Sequence, residues 1–384
     1  MNNISKISNC YGCGVCSISC PKKIIEIKLN DDGFYQPYIS DRDICNHCGL
    51  CLKVCSFNKT EIALKDNSPQ KSYAGWINNK EILRSSSSGG IIYAIGKQLL
   101  KNDYKICGVK YNNSTHRAEH YISNTEIEFS ETKGSKYIQS YTINGFKNIN
   151  KKDKYLIIGT PCQIDSFRRF AKIFRIENNF ILLDFFCHSV PSMLAWQYYI
   201  KKIEKKIGKI KSVEWRNKQT GWHDSWAMYI VGENDHQYRS RLSQGDIFYK
   251  LFLGDYCCNP ACQKECKYKY KNSSADIRVG DLWGNTYSKN ESGVSAIVTF
   301  TQKGTEIINS IKDTTIIEHN FDTVAEGQMK KNAGKAYLNK IVIRLLKSTY
   351  DIPFYIFKLI FTTEKILRLP SRIINKLSKI LRQC

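Results

Sequence analysis

The sequence is short of proline and has no long uncharged apolar run. Only 8 of its 384 residues are proline, while 42% are hydrophobic and 24% are charged. This composition describes a folded globular chain and excludes the collagenous and disordered classes. No uncharged apolar stretch approaches the roughly 18 residues that cross a bilayer. A chain of this length predicts two or three domains.

Acidic residues are scarce relative to basic ones. The chain has 58 Lys and Arg against 35 Asp and Glu, a net charge of +23. From Lys330 to Cys384 there are 13 basic and 2 acidic residues, so a net charge of +11 lies in this last segment. Because so much of the charge lies in the tail, we do not expect nucleic acid as a partner. A basic surface instead favours an acidic partner protein or an anionic substrate.

Cysteine is plentiful, but the features of a secreted disulfide scaffold are missing. The 16 cysteines are too sparse for a small disulfide-stapled protein. The first residues also lack the basic and apolar segments and the cleavage site of a signal peptide. We therefore expect a cytoplasmic protein whose cysteines are metal ligands or reactive thiols.

Half of the cysteines form an internal repeat near the start of the chain. The first copy, Cys10 to Pro21, has the spacing C-x2-C-x2-C-x3-C-P, and the second, Cys45 to Cys55, has the same cysteine spacing. In two-cluster ferredoxins with this spacing, the fourth cysteine of a run ligates the other cluster. The repeat therefore predicts two 4Fe–4S clusters, with the ligand sets Cys10, Cys13, Cys16 and Cys55, and Cys45, Cys48, Cys51 and Cys20.

The repeat predicts a small ferredoxin-like domain over residues 1–62. Crossed ligation would tie its two halves together, so this domain should need its metal to fold. Zinc is the alternative, since it also takes sites of four cysteines. Zinc spacing usually shows paired C-x2-C knuckles across a longer loop, so the repeated run of four cysteines favours iron–sulfur clusters.

Beyond a polar linker at 65–71, strand-like and helix-like patterns alternate, which predicts α/β architecture. The strand candidates are 105–111, 155–158, 180–186, 277–280 and 296–300, with a short strand at 24–29 inside the repeat. We predict a mixed α/β (α+β) catalytic region, divided into residues 72–150 and 151–320, behind the ferredoxin-like domain. A basic helical tail at 330–384 follows.

A second set of cysteines lies in the predicted α/β region. Cys162 falls in the first turn of a predicted helix, where the helix dipole should stabilise a thiolate. Cys187 takes the comparable place after the next strand, and consecutive parallel strands bring such residues to one sheet edge. A polar loop at 257–266 contributes four further cysteines. We predict a third cluster, with ligands from Cys162, Cys187, Cys258, Cys262 and Cys266 and with Cys257 as a further candidate; Cys107 and Cys384 are predicted to be non-ligands.

The tail contains a predicted amphipathic helix that starts after Ser371. One face would carry the apolar residues Ile373, Ile374, Leu377, Ile380 and Leu381, and the basic residues fall outside that face. Two interpretations remain open. The helix packs on the protein surface, or it makes a peripheral contact with the anionic inner face of a membrane.

Several motifs resemble one known family. They are the ferredoxin repeat with Gly33 to Pro37 between its halves, Ser88 to Gly90, Gly134 to Tyr137, Gly159 to Gln163, Cys187-His188 with Pro191, Arg216 with Gly221-Trp222, Pro260 to Cys266, and Ala275 to Gly284. The chain resembles the beta subunit family of coenzyme F420 hydrogenase/dehydrogenase, in the bacterial form fused to a two-cluster ferredoxin. One departure is the spacing of Cys262 and Cys266, which is C-x3-C where the family usually has C-x2-C.

The resemblance implies an iron–sulfur flavoprotein in which FAD lies beside a cluster. Loops rich in Ser and Gly before helices expose N–H groups that can bind a pyrophosphate, and a lysine adds positive charge. The predicted cofactor-binding residues are Ser88, Gly89, Gly90, Gly134, Ser135, Lys136, Thr160 and Gln163. The predicted catalytic residues are His188, Arg216, Trp222 and His223, with His188 as a candidate proton donor.

These expectations combine into one functional hypothesis. Reduced ferredoxin, or another low-potential donor, would feed the N-terminal clusters, and electrons would pass through FAD to a small organic acceptor, in polysaccharide or nucleotide-sugar metabolism. Known relatives reduce coenzyme F420 or chlorophyll-type pigments. The alternative is a non-catalytic electron-transfer subunit or adaptor of a larger redox complex.

Overall fold

The computed structural model describes residues 2–264 and 266–369. A two-stranded hairpin lies near the start of the chain, and most of the remaining strands belong to one large sheet. The strands are β1 Ile25–Leu29, β2 Tyr35–Ile39, β3 Lys71–Ile77, β4 Tyr104–Asn112, β5 Arg117–Ser123, β6 Ser140–Tyr141, β7 Lys154–Ile158, β8 Phe180–Phe185, β9 Ser212–Glu214, β10 Ala227–Val231, β11 Gln237–Arg241, β12 Ile277–Asp281, β13 Ser295–Thr299 and β14 Thr314–Glu318.

Short helices cover the hairpin and longer ones flank the large sheet. The α-helices are α1 Val15–Ser19, α2 Leu50–Lys53, α3 Lys80–Ser85, α4 Ile91–Leu100, α5 Glu126–Ser130, α6 Ile143–Phe146, α7 Pro161–Ile173, α8 Met193–Ile207, α9 Ile247–Leu253, α10 Pro260–Lys264, α11 Gln302–Ser310, α12 Phe321–Val324, α13 Asn339–Lys347 and α14 Phe354–Leu367. Within the described residues, no helix combines the length and the apolar character needed to span a membrane.

The large sheet has nine strands in the order β14-β3-β13-β12-β8-β7-β4-β5-β6. Its central strands β4, β7, β8 and β12 are parallel neighbours, and β13 pairs antiparallel with both β12 and β3. The carboxyl ends of β3, β4, β7, β8 and β12 therefore meet at one edge. The loops that leave this edge contain the Ser-Gly segment before α4 and the segments that begin at Gly159 and Phe186.

Apolar residues on both faces of the central strands explain why these segments form buried strands. Leu156 and Ile158 of β7 pack in one core cluster with α4, whereas Tyr155 and Ile157 pack in another cluster with α7. In the sequence, a strand that is covered on both faces is an unbroken run of apolar residues. Such runs predicted β7, β8 and β13 to within two residues at either end.

Residues 2–62 form a small unit, here called the N-terminal module, which is docked on the sheet body (residues 71–318). Two backbone–side-chain hydrogen bonds fix the contact, since Gln139 accepts from the N–H of Tyr35 and donates to the carbonyl of Tyr11, each at 3.0 Å. Gly14 adopts a φ of +76°, and a Cβ there would lie 2.2 Å from Thr142 Oγ1. Only glycine allows this close approach of the module to the body.

The structure confirms the predicted fold class, a mixed α/β body behind a small N-terminal domain. The sheet takes strands from both 72–150 and 151–320, so the predicted division at 150 runs through one sheet. The antiparallel sheet β11-β10-β9 was not predicted. In the tail, α13 and α14 pack through Val342, Leu346, Phe357 and Phe361. The amphipathic helix predicted after Ser371 lies outside the described residues.

Candidate functional site

Four of the N-terminal cysteines line one cavity. Cys10, Cys13 and Cys16 come from the first run and Cys55 from the second, as the crossed ligand sets predict. Burial and the neighbouring thiols raise the pKa of Cys10 to about 12 and that of Cys55 to about 11. Buried thiolates are costly unless a metal ion compensates their charge, so this cluster of thiols has the chemistry of a metal site.

Cys51, from the second run, adjoins this set and has two further thiols near it. The pKa of Cys51 is raised by burial, with Cys20 and Cys48 as neighbouring thiols. The Sγ of Cys45 lies 3.9 Å from Nδ1 of His47. Cys51 also raises the pKa of Cys16, which shows that the two sets adjoin. The structure therefore brings Cys10, Cys13, Cys16 and Cys55 together, with Cys51 and its neighbours Cys20 and Cys48 beside them.

A third set of cysteines meets at the carboxyl edge of the sheet. Cys162 follows β7, Cys187 follows β8, and Cys262 and Cys266 come from the loop around α10. All four line one cavity, with an empty volume of about 520 Å³ that is partly open to solvent. Segments that are far apart in the sequence thus bring four thiols together, which fits the ligand number of a 4Fe–4S cluster.

The environment of these thiols differs from the sequence expectation in one respect. Cys162 does lie in the first turn of α7, behind the capping box of Thr160 and Gln163. Burial nevertheless raises its pKa well above the ordinary value, because the loss of water and the nearby Cys262 thiol outweigh the hydrogen bond with Thr160. Positive charge comes instead from Lys269, which donates to the carbonyls of Cys187 and His188 at 2.7 and 2.5 Å.

The structure places Cys257 and Cys258 outside this cavity. Cys257 is buried in the core under the C-terminal helices. The Sγ of Cys258 accepts a hydrogen bond from Ser189 Oγ at 2.8 Å and lies 3.6 Å from Oδ1 of Asp255. A third cluster therefore has four candidate ligands, and Cys258 is not among the residues that line its cavity.

Two of the predicted cofactor-binding loops touch each other. The backbone N–H of Ser135 donates to Oγ of Ser87 at 2.7 Å, so the Gly134–Lys136 loop faces the Ser88–Gly90 loop. Gly90 caps α4 with a φ of +78°. At Gly134, where φ is +81°, a Cβ would meet nothing within 4 Å. These loops and α4 thus form a surface with glycine backbone and open space.

Two lysines flank these loops, and the sequence pointed to only one of them. Lys136 donates to the carbonyls of Thr132, Lys133 and Gly134, and burial lowers its pKa to about 7. Lys218 donates to the carbonyls of Leu83, Ser88 and Ser292, and burial lowers its pKa to about 7 as well. Lys218 was missed because it lies far in sequence from the Ser-Gly loop.

Thr160 and Gln163, also predicted to bind the cofactor, lie in the wall of the cysteine cavity. Gln163 Oε1 accepts from the N–H of Thr160 at 2.8 Å, and its Nε2 donates to Ser140 Oγ at 3.0 Å. Both ends of its amide are therefore engaged within the protein. Thr160 Oγ1 lies 3.2 Å from Sγ of Cys162, so these residues position the cysteine.

Three of the four predicted catalytic residues form one cluster around Asp281. Arg216 binds both carboxylate oxygens of Asp281, at 2.8 and 3.2 Å, and Trp222 Nε1 donates to the same carboxylate at 2.9 Å. The Trp222 ring stacks on Trp283 and lies 4.9 Å from the ring of His223. Because Arg216 and Trp222 are buried and paired, they suit a positioning role. Asp281 itself was not among the predicted site residues.

His188 lies apart from that cluster and lines the cysteine cavity. Its Nε2 is 2.9 Å from Oδ1 of Asp255, which fixes the orientation of the ring. Tyr137 connects the two places, since its hydroxyl accepts from Arg216 at 3.0 Å and its ring lies 6.1 Å from Phe252, which contacts His188. The predicted catalytic residues therefore occupy two neighbouring places and not one pocket.

Comparison with known proteins bears on both parts of the chain. The family described as the C-terminal part of the coenzyme F420 hydrogenase/dehydrogenase beta subunit matches residues 152–322, and the 4Fe-4S dicluster domain matches residues 9–59. Among curated proteins no sequence matches. A chain of the F420-reducing [NiFe] hydrogenase complex from Methanosarcina barkeri, solved in a xenon derivative, is similar at 17% identity with a TM-score of 0.48, over 75% of this chain and 90% of that one.

The dicluster match confirms the iron–sulfur interpretation of the cysteine repeat over the zinc alternative. The chain is an iron–sulfur oxidoreductase or electron-transfer subunit. Its residues 152–322 are similar to the C-terminal part of the coenzyme F420 hydrogenase/dehydrogenase beta subunit, and a 4Fe–4S dicluster domain lies at its N-terminal end.

Proposed function

We propose that this protein is an iron–sulfur flavoenzyme that takes electrons from reduced ferredoxin, or a similar low-potential donor, and reduces a small organic acceptor. The N-terminal module would hold two 4Fe–4S clusters and the sheet edge a third, with FAD at the neighbouring Ser-Gly loops. An acceptor from polysaccharide or nucleotide-sugar metabolism fits the basic surface when it carries phosphate, as a nucleotide sugar does.

The observation that carries this proposal is the continuity of the three cysteine sets. Tyr11 lines both the cavity of the first set and the cavity of the third. Cys13 of the first set is close enough to raise the pKa of Cys162 in the third, and Cys51 of the second set raises that of Cys16. The thiols thus form an uninterrupted series from the exposed Cys48 to the sheet edge, as electron transfer between bound clusters requires.

The residues at the Ser-Gly loops fit a dinucleotide. Backbone N–H groups at the start of α4 are donors that suit a pyrophosphate. The ammonium groups of Lys136 and Lys218 each donate to three loop carbonyls, so they hold the loops in place and put positive charge beside them. The pKa values of both lysines, lowered by burial, indicate that an anion there would be favourable. When bound, a flavin supplies the exchange between one-electron and two-electron chemistry. His188, held by Asp255 at the rim of the cysteine cavity, is placed to hold or donate a proton.

Iron and flavin content of the anaerobically purified full-length protein tests the proposal. We expect about twelve iron atoms per chain, four for each set of four cysteines, and a flavin that dithionite bleaches. Cys162→Ser should lower the iron content to about eight. The matched control is Cys107→Ser, because Cys107 is buried in the sheet and lines neither of the two cysteine cavities. About eight iron atoms in the unmutated protein would contradict the third cluster.

Two further variants test the flavin-binding part of the proposal. Lys136→Met and Lys218→Met should each lower the flavin content while the iron content stays unchanged, because the lysines lie at the loops and not at the cysteines. Lys110→Met, which removes a partly exposed lysine paired with Glu131, is the control. Purification without flavin but together with a separate catalytic chain would instead support the adaptor function.

A further inference from the structure

The last described helix, α14, has one face in the protein core and one face in solvent. Phe357 and Phe361 are buried against the body. On the opposite side Tyr355, Leu359 and Ile366 are 66%, 63% and 60% exposed. These three positions differ by four and seven residues, so their side chains form one stripe along the helix. The helix therefore presents an apolar stripe to solvent, with Thr362, whose hydroxyl bonds to the carbonyl of Lys358, between Leu359 and Ile366.

This helix lies outside the part of the chain that the family accounts for. The family match ends at residue 322, and α14 begins at Phe354. Its exposed stripe makes no contribution to the cysteine cavities or to the Ser-Gly loops. Large exposed apolar side chains on one helix face usually mark an interaction surface.

The charge around the stripe is positive. Lys358 and Lys365 flank it on the helix, and neither forms an ion pair with any described residue. The two acidic residues between 330 and 369 are both engaged within the protein. Asp351 pairs with Lys202 and Lys205, and Glu364 pairs with Arg368 and accepts two backbone N–H groups. Within residues 330–369, no unpaired negative charge therefore opposes an anionic surface at this face.

We propose that α14 docks this protein on an anionic phospholipid surface, with the stripe of Tyr355, Leu359 and Ile366 inserted among the lipids. An amphipathic helix of this kind lies in the plane of the membrane, about 5–10 Å into the interface. The flanking lysines extend their ammonium groups toward the lipid phosphates while their methylene stems stay apolar. Apolar burial and charge attraction then act together.

Two other occupants of this face are residues 370–384 and a second copy of the helix, and the positive charge of both disfavours them. The next segment of the chain, 370–384, carries four basic residues and no acidic one. Folding that segment back on α14 would bring its charges toward Lys358 and Lys365, and a second copy of the helix would do the same. An anionic lipid surface attracts both segments, with about 1 kcal/mol for each basic residue near the surface. This inference is independent of the proposed redox function.

Vesicle flotation of the full-length protein tests the proposal. The probes are vesicles of phosphatidylcholine alone and of phosphatidylcholine mixed with phosphatidylglycerol. We expect binding to the mixed vesicles only, and we expect it to weaken when salt rises from about 0.1 M to about 1 M, because screening shortens the range of the attraction. The double variant Leu359→Gln with Ile366→Gln should bind at least about tenfold more weakly.

Two comparison variants complete the experiment. Lys358→Gln with Lys365→Gln should also lower binding by about tenfold. Ile127→Gln removes another highly exposed apolar side chain, on α5, and should bind like the unmutated protein. All of these side chains are exposed, so circular dichroism should show unchanged folding. Equal binding by the Leu359 and Ile366 variant would overturn the proposal, as would a dimer in sedimentation that this variant dissociates without any flotation.

Discussion

The N-terminal module and the sheet body hold their cysteines in different ways. In the module all eight cysteines lie between Cys10 and Cys55, and three of them, Cys16, Cys51 and Cys55, are part of its small core. In the body the four converging cysteines lie at loops at the edge of a nine-stranded sheet, which has large apolar clusters on both faces. The module therefore has one small core in which the ligands are mixed with a few apolar side chains, while the body has large cores that contain none of its four converging cysteines.

This difference teaches where the stability of each region comes from. Where ligands make up a large part of a small core, we expect metal binding to supply much of the free energy of folding. Where the ligands sit on a preformed sheet edge, the apolar core positions them before any metal binds. Iron loss should therefore unfold the module and leave the body folded.

Removal of iron should produce the largest difference in stability between the module and the body. When a chelator strips the iron from the full-length protein, the amides of β1 and β2 should lose about a thousandfold or more of their protection from hydrogen exchange. The amides of β7 and β8 should stay protected, because their burial does not depend on the clusters. Hydrogen exchange followed by mass spectrometry measures both. Protected β1 and β2 amides in the iron-free protein would refute the metal-dependent folding of the module.

Loss of a buried ion pair between β8 and β12 should destabilise the body alone. Asp184 on β8 accepts from Nε and Nη2 of Arg278 on β12, both at 2.7 Å, and neither residue is exposed. Asp184→Asn leaves the guanidinium buried without its counter-charge and should cost about 3–5 kcal/mol of unfolding free energy. Urea unfolding measures the loss, with iron content as a second readout.

An exposed ion pair in the same sheet serves as the matched control. Lys71 and Glu318 pair across β3 and β14 with both side chains about half exposed, and Lys71→Met should cost less than about 1 kcal/mol. Similar losses of unfolding free energy in the two variants would show that burial does not increase the contribution of the Asp184–Arg278 pair to stability.

The smallest expected effect is the change in the stability of the body with pH. Burial lowers the pKa of His120 on β5 from 6.5 to about 4. The unfolded chain therefore binds a proton below pH 6.5 that the folded chain does not bind until about pH 4, so stability falls as the pH falls through this range. From about pH 7 to about pH 5 the loss should be about 2 kcal/mol.

His120→Gln should remove this part of the pH dependence in urea unfolding. His236→Gln is the control, because His236 is exposed. An identical pH dependence in the His120 variant and in the unmutated protein would contradict the assignment of the effect to this residue.

Much of the module could be predicted because its information is local. The spacing within each cysteine run and the two glycines before α1 specify tight turns, and the partition of the eight cysteines follows from the repeat. In the body, apolar runs predicted β7 and β8. The positions of Lys218, Lys269 and Asp281 could not be predicted, because each is a single polar residue whose partners lie on loops far away in the sequence.

The sequence by itself determined the iron–sulfur class of the protein and the strands that form its core, since both depend on residues that are neighbours along the chain. Only the tertiary structure decided that Cys162, Cys187, Cys262 and Cys266 share one cavity and that Cys258 does not line it. The physical reason is that parallel strand pairing fixes which loops meet at the sheet edge, and strand order is set by the packing of the whole core.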